Sequence, residues 1–141
     1  MSIQINLDEL IEDIKRHEGY EPMVYNDSLG KPTIGIGFLI ETLKLDEDDC
    51  ERILIKKLDI LLPEIFRKWE FLHDAPNTVK IVIVNMCYQM GVYGVSKFKR
   101  FIKALEDKDY SYAAIEMLDS KWAKQTSTRA EELSNKIKSL A

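Results

Sequence analysis

Tyr25-Asn26-Asp27-Ser28-Leu29-Gly30-Lys31-Pro32-Thr33-Ile34-Gly35-Ile36-Gly37-Phe38 is the stretch that decides the fold. Met23-Val24-Tyr25 before the turn reads as a short strand, Asn26 to Gly30 has turn composition, and Thr33 to Phe38 alternates with the strand period. The pattern predicts a β-hairpin. On its second strand Ile34, Ile36 and Phe38 share one face while Thr33, Gly35 and Gly37 share the other. That second face is nearly bare, which leaves room for a ligand to approach the backbone.

Upstream, Leu7, Leu10, Ile11 and Ile14 recur at helical spacing, with Asn6 placed to cap, Glu9 three residues on, and Gly19 marking the end. The next position on that apolar face is Glu18, so its carboxyl is expected at the edge of the buried stripe. A helix-end carboxyl and a turn carboxylate, Asp27, across a glycine-lined strand are what a glycosidase needs: one group to give a proton, one to handle water. The same residues also fit a helix-end glutamate and an ordinary turn aspartate, and with 24 acidic residues in the chain both readings stand.

Downstream the pattern turns helical. Cys50, Ile53, Leu54, Leu58 and Leu61 follow the acidic run Asp46 to Asp49, and Pro63 is expected to end or bend that helix. Thr78 to Met90 could form a strand, but its length and the closing Gly91 favour a buried helix. Phe98, Phe101, Ile102 and Leu105 mark another helix, and Ala113, Ala114, Met117 and Leu118 the next after Asp109. A last helix is expected near Thr128, with Glu131 completing a capping box. Arg129 in its first turn opposes the helix dipole, which points to an anion holding it; a freely exposed arginine is the alternative.

The bulk properties narrow the function. A chain of 141 residues with 45% hydrophobic content fits one domain, and a net charge of −4 gives no footprint for nucleic acid. Lys97, Lys99, Arg100 and Lys103 read as an exposed helix face. His17 and His73 lack the spacing of a metal site, Gly35-Ile36-Gly37 lacks the third glycine of a dinucleotide fingerprint, and no Gly-x-Ser-x-Gly elbow occurs. Cys50 and Cys87 are expected as buried thiols, without a partner histidine for nucleophilic work. No cofactor is expected. The run Val79 to Val84 is too short to insert into a membrane, and Met1 to Leu10 shows no secretory signal, so synthesis in the cytoplasm is expected.

His17-Glu18-Gly19-Tyr20, Tyr25-Asn26-Asp27, Gly30 and Thr33-Ile34-Gly35-Ile36-Gly37 together resemble the amino-terminal signature of the phage-type lysozymes, the family of the T-even phage lysozyme. Asn85-Met86-Cys87-Tyr88-Gln89-Met90-Gly91, Gly94-Val95 and Phe98 resemble its central helix, and Ser120-Lys121-Trp122, Gln125-Thr126 and Arg129-Ala130 its carboxy-terminal part. The resemblance implies a mainly helical α+β fold in a single lysozyme-like domain spanning 1–141. It comprises a hairpin lobe at about 19–45 and a helical lobe at about 46–141 that includes the N-terminal helix, with a cleft between them. It also implies hydrolysis of peptidoglycan between N-acetylmuramic acid and N-acetylglucosamine, with inversion. Glu18 matches the general acid, and Asp27 and Thr33 the pair on the attacking side. Leu39, Tyr88, Gln89 and Arg129 match substrate-binding positions, the last two beside the acid; Leu39 and Tyr88 also fit core packing.

The chain departs from that family in places. Phe38 stands where the best-known member has a histidine, the segment from Phe38 to Asp46 is much shorter than in that relative, and Phe101 and Glu116 stand where it has smaller polar residues near the substrate. The acidic balance weakens attraction to an anionic wall. The expected setting is a monomer made in a host cytoplasm, acting on the bacterial cell wall and reaching it through a holin or another export route. A non-catalytic wall-binding or phage assembly module and a lytic transglycosylase are the alternatives, and Asp27 with Thr33 disfavours the second.

Overall fold

Asn6 starts the first helix as its position predicts: its Oδ1 accepts from the Glu9 N–H at 3.2 Å, and α1 (Leu7–Glu18) ends where the Gly19 N–H donates to the Lys15 carbonyl at 2.8 Å. The computed structural model describes residues 3–141, which fall into two units, one ending at Glu51 and the other running from Arg52 to Ala141. The architecture is α+β and mainly helical.

The first unit carries an antiparallel sheet in the order β1 (Glu21–Asn26), β2 (Pro32–Gly35), β3 (Phe38–Leu39). Tyr25 pairs with Thr33, and Thr33 in turn with Leu39. The expected single strand from Thr33 to Phe38 is therefore corrected, because the chain reverses between Gly35 and Phe38. Gly35 at φ 72° and Gly37 at φ 69° make the reversal, and only glycine adopts such angles without strain. The bare face is corrected with it: a β-carbon on Gly35 would lie 2.8 Å from the Phe38 ring.

The apolar stripe of α1 is also not as expected. Leu7, Leu10, Ile11 and Ile14 stay between 37% and 60% exposed, and no residue of α1 is buried. The reason lies in the unit itself: β1 is exposed at every position but Tyr25, so residues 3–51 hold no apolar core to receive the stripe.

The second unit holds the core. α2 (Glu47–Lys68) begins with a reciprocal cap in which Asp46 Oδ1 accepts from the Asp49 N–H and Asp49 Oδ2 from the Asp46 N–H. Pro63 does not end it, since a proline removes one hydrogen bond while Ile65, fully buried beyond it, anchors the last turn. α3 (Asn77–Ser96) is a helix rather than a strand, interrupted at Gly91, where φ 80° and ψ 160° lie in a region open to glycine alone.

α4 (Lys99–Glu106), α5 (Tyr110–Leu118), α6 (Lys121–Gln125) and α7 (Ser127–Lys138) complete the unit. α7 packs on α3, α5 and α6, and small residues let it approach α5 closely: Ala113, Ala114 and Ala130 are buried, and Ser134 donates to the Ala114 carbonyl at 3.1 Å. Its start corrects the expected capping box. The helix begins at Ser127, so Thr128 lies inside it, and Thr126 before it has both its backbone N–H and its hydroxyl turned back to the Trp122 carbonyl.

Cys87 is buried as expected, but Cys50 is exposed, because it follows the solvated acidic turn of α2 ahead of the core-facing residues. Burial, and then the Glu64 charge, push the Cys87 thiol from 9.0 up to about 12. Among the described residues no helix is long and apolar enough to cross a membrane.

Replacing Gly91 by alanine is expected to lower stability by about 1–3 kcal/mol, read from denaturant unfolding. Thiol reagents should label Cys50 in the native protein and Cys87 only on unfolding. Since the Cys87 thiol ionises more readily unfolded than folded, its contribution to stability is intact below pH 9.0 and lost as pH climbs toward about 12, which unfolding curves across that window will measure.

Candidate active site

The turn between β1 and β2 is organised around one carboxylate. Asp27 Oδ1 accepts from the Leu29 N–H at 2.9 Å and the Lys31 N–H at 2.8 Å, while the Asp27 N–H donates to the Lys31 carbonyl at 2.9 Å. An aspartate that gathers the amides of its own turn is a strong local signal, and it explains why the hairpin folds here. Oδ2 has no hydrogen-bond partner among the described residues, so one oxygen of a rigidly held carboxylate stays available.

Thr33 joins this arrangement through the same residue. Its hydroxyl donates to the Lys31 carbonyl at 3.0 Å, and the side chain is 4% exposed, the one buried polar residue among the described residues of the first unit. With its proton committed there, the hydroxyl can offer only lone pairs to a third group. Asp27 and Thr33 are thus two acceptors set by one main-chain unit, Lys31.

Glu18 approaches from the other end of β2. A β-carbon placed on Gly37 would lie 2.9 Å from Glu18 Cδ and closer still to Oε2, so the carboxyl rests against the turn that follows the strand. Glu18 is exposed, which corrects its expected place at the edge of a buried stripe; what gives the carboxyl room beside the sheet is the missing side chain at Gly37. The four residues of β2 span roughly 10 Å, with the Asp27 turn at one end and the Glu18 contact at the other. Leu39, half-buried, is paired with Thr33 across the β2–β3 register.

Tyr88, Gln89 and Arg129 belong to the second unit. Tyr88 and Arg129 line an apolar hollow of about 550 Å³ together with Leu58, Ile81 and Val84. Gln89 Oε1 accepts from the Trp122 indole N–H at 2.9 Å, which turns its amide N–H₂ outward. Arg129 is held, but not by the expected anion: its Nε–H donates to Asn85 Oδ1 at 2.8 Å and its Nη2–H to the Asn85 carbonyl at 3.1 Å. Neutral carbonyl oxygens supply the negative end that the helix terminus withholds. No carboxylate of the second unit pairs with Arg129.

Against this geometry the comparisons are decisive. A family model described as Phage lysozyme matches residues 15–138, a span that includes both carboxylates, Thr33 and Arg129. The chain belongs to the phage lysozyme family. It is 31% identical to a probable T4-type lysozyme of Dictyostelium discoideum, over 85% of this chain and 88% of that protein, and 28% identical to a second such lysozyme over the same shares. It is also 30% identical to the pre-baseplate central spike protein of Enterobacteria phage T4, over 88% of this chain but 26% of that protein.

Lys31 and Gly37 in the first unit, and Asn85 and Trp122 in the second, carry geometry that side-chain chemistry does not announce. Lys31 acts through its main chain and Gly37 through the absence of a side chain. Asn85 and Trp122 stand inside stretches that resemble the family, yet nothing in their type marks them as holding Arg129 and Gln89. Among the described residues no group of histidine, cysteine and carboxylate side chains could hold a metal ion; His73 instead packs its ring against Phe66 at 5.1 Å.

Gly37→Ala is expected to displace the Glu18 carboxyl and to strain a backbone at positive φ by about 1–2 kcal/mol. Wall-clearing activity should fall at least tenfold while the folded state persists, as followed by turbidity and thermal unfolding.

Proposed function

We propose that the chain is an endolysin-type muramidase that hydrolyses the β-1,4 bond between N-acetylmuramic acid and N-acetylglucosamine in peptidoglycan and so lyses bacteria. The observation that carries this reading is the pair of acceptors held by the main chain of Lys31, Asp27 Oδ2 and the Thr33 hydroxyl, set across β2 from the Glu18 carboxyl. A water that donates one hydrogen to each acceptor has its own lone pair left for the anomeric carbon. Glu18, at the far end of the strand, donates a proton to the leaving glycosidic oxygen. As the bond breaks, positive charge grows on the sugar, and the Asp27 carboxylate stabilises it.

Separating donor and water-holding pair by the length of a short strand leaves space for the water, the arrangement that inverting glycosidases need at roughly 6.5–9.5 Å between carboxyl groups. A lytic transglycosylase has no use for a water-holding pair. Leu39, Tyr88, Gln89 and Arg129 bind the glycan: Tyr88, 48% exposed, offers a ring to a sugar face, and Gln89 an amide whose direction Trp122 has set. The protein works on the cell wall as one monomeric lysozyme-like domain, without cofactor, delivered there by a pore or a particle.

Glu18→Gln is expected to abolish clearing of peptidoglycan suspensions with thermal unfolding nearly unchanged, since the side chain is exposed. Retained lysis by that variant overturns the assignment. Mass spectrometry of the wild-type digest should find reducing N-acetylmuramic ends; anhydro ends would indicate a transglycosylase, and no release a binding module.

A further inference from the structure

Asn85 is an unusual residue for its place. It interrupts the run Ile81-Val82-Ile83-Val84 before Met86-Cys87 in the middle of α3, where Val82, Ile83, Met86 and Cys87 are all buried, and asparagine is a poor helix former. Its side chain is spent on one group, the guanidinium of Arg129 on α7.

Two acceptors of a single residue, one side-chain and one main-chain oxygen, engage two different nitrogens of that guanidinium. A guanidinium is planar and rigid, so two contacts fix its tilt as well as its position. Its remaining N–H donors, both of those on Nη1 among them, have no hydrogen-bond partner among the described residues, and Arg129 lines the hollow that Tyr88 also borders. An arginine in the first turn of a helix works against the dipole there, so without these acceptors nothing on its own helix would hold it in place.

We infer that Asn85 is a positioning residue: it holds Arg129 in the orientation from which the free donors meet acceptor oxygens of the glycan. The inference rests on the reading of Arg129 as a substrate-binding residue of a peptidoglycan hydrolase. Asn85 borders the same hollow with its side-chain oxygen already committed to the Arg129 Nε–H, so its effect on the glycan is exerted through Arg129.

Steady-state rates on peptidoglycan fragments for wild type, Asn85→Ala, Arg129→Ala and the double variant test it, with thermal unfolding recorded for each. Asn85→Ala should raise KM about tenfold, the effect of losing charge-assisted hydrogen bonds, and leave kcat within about twofold. Added to Arg129→Ala, it should change nothing further. An unchanged KM, or penalties that add in the double variant, overturns the inference. In wild type the Arg129 Nε–H should give a slowly exchanging NMR resonance; its absence overturns the inference even where Asn85→Ala does not fold. Glu18→Gln keeps the two readings apart: full turnover there sinks the hydrolase itself, whereas a dead Glu18→Gln beside an Asn85→Ala of normal KM sinks only the role of Asn85.

Discussion

The main chain of Lys31 is the constraint on which the first unit depends. Its N–H goes to the Asp27 carboxylate, and its carbonyl takes both the Asp27 N–H and the Thr33 hydroxyl. The two peptide planes that flank this residue thereby close the turn, set the register of β2 on β1 and leave two oxygens of defined direction. Hydrogen bonds to a carboxylate are the stronger kind, and three partners converging on one residue's main chain make the turn stiff without an apolar core beneath it. That matters because Thr33 is the single buried residue among the described residues of the unit.

The second unit reaches rigidity by the opposite route. Twenty buried apolar residues, from Ile65 to Ile137, pack there, and the polar positions of α3 are displayed from that core. Asn85 and Gln89 stand one helical turn apart, each using an oxygen to hold a side chain from a different helix, Arg129 of α7 and Trp122 of α6. Neutral amides do this work well because each acceptor has direction and none cancels the charge of the arginine. Positioning by amides leaves the guanidinium charged and partly free, where a carboxylate partner would have neutralised it.

Much of this was legible in the residues. Period and capping marked α1, α2, α4 and α5, and the turn composition of Asn26 to Gly30 marked the hairpin. Glu18, Asp27 and Thr33 stood out through the resemblance to phage lysozymes, and the family match bears that resemblance out. The reversal at Gly37 was hidden because alternation survives a tight turn: Ile34, Ile36 and Phe38 look like one face although the chain doubles back between them. The capping box expected at Thr128 failed for another reason: α7 already begins at Ser127, which puts Thr128 inside the helix rather than at its cap.

By itself the sequence determined which residue types are present, where most helices and the first hairpin turn lie, and membership in the phage lysozyme family, because those follow from local periodicity, turn chemistry and collinear motifs. Only the tertiary structure decided that Gly37 makes room for the Glu18 carboxyl, that Lys31 aims Asp27 and Thr33 through its main chain, and that Asn85 rather than an anion holds Arg129. The Gly37 and Asn85 contacts depend on atoms distant in the chain meeting within a few ångströms, and the Lys31 contacts on backbone groups that every residue shares, so no pattern of side chains along the sequence encodes them.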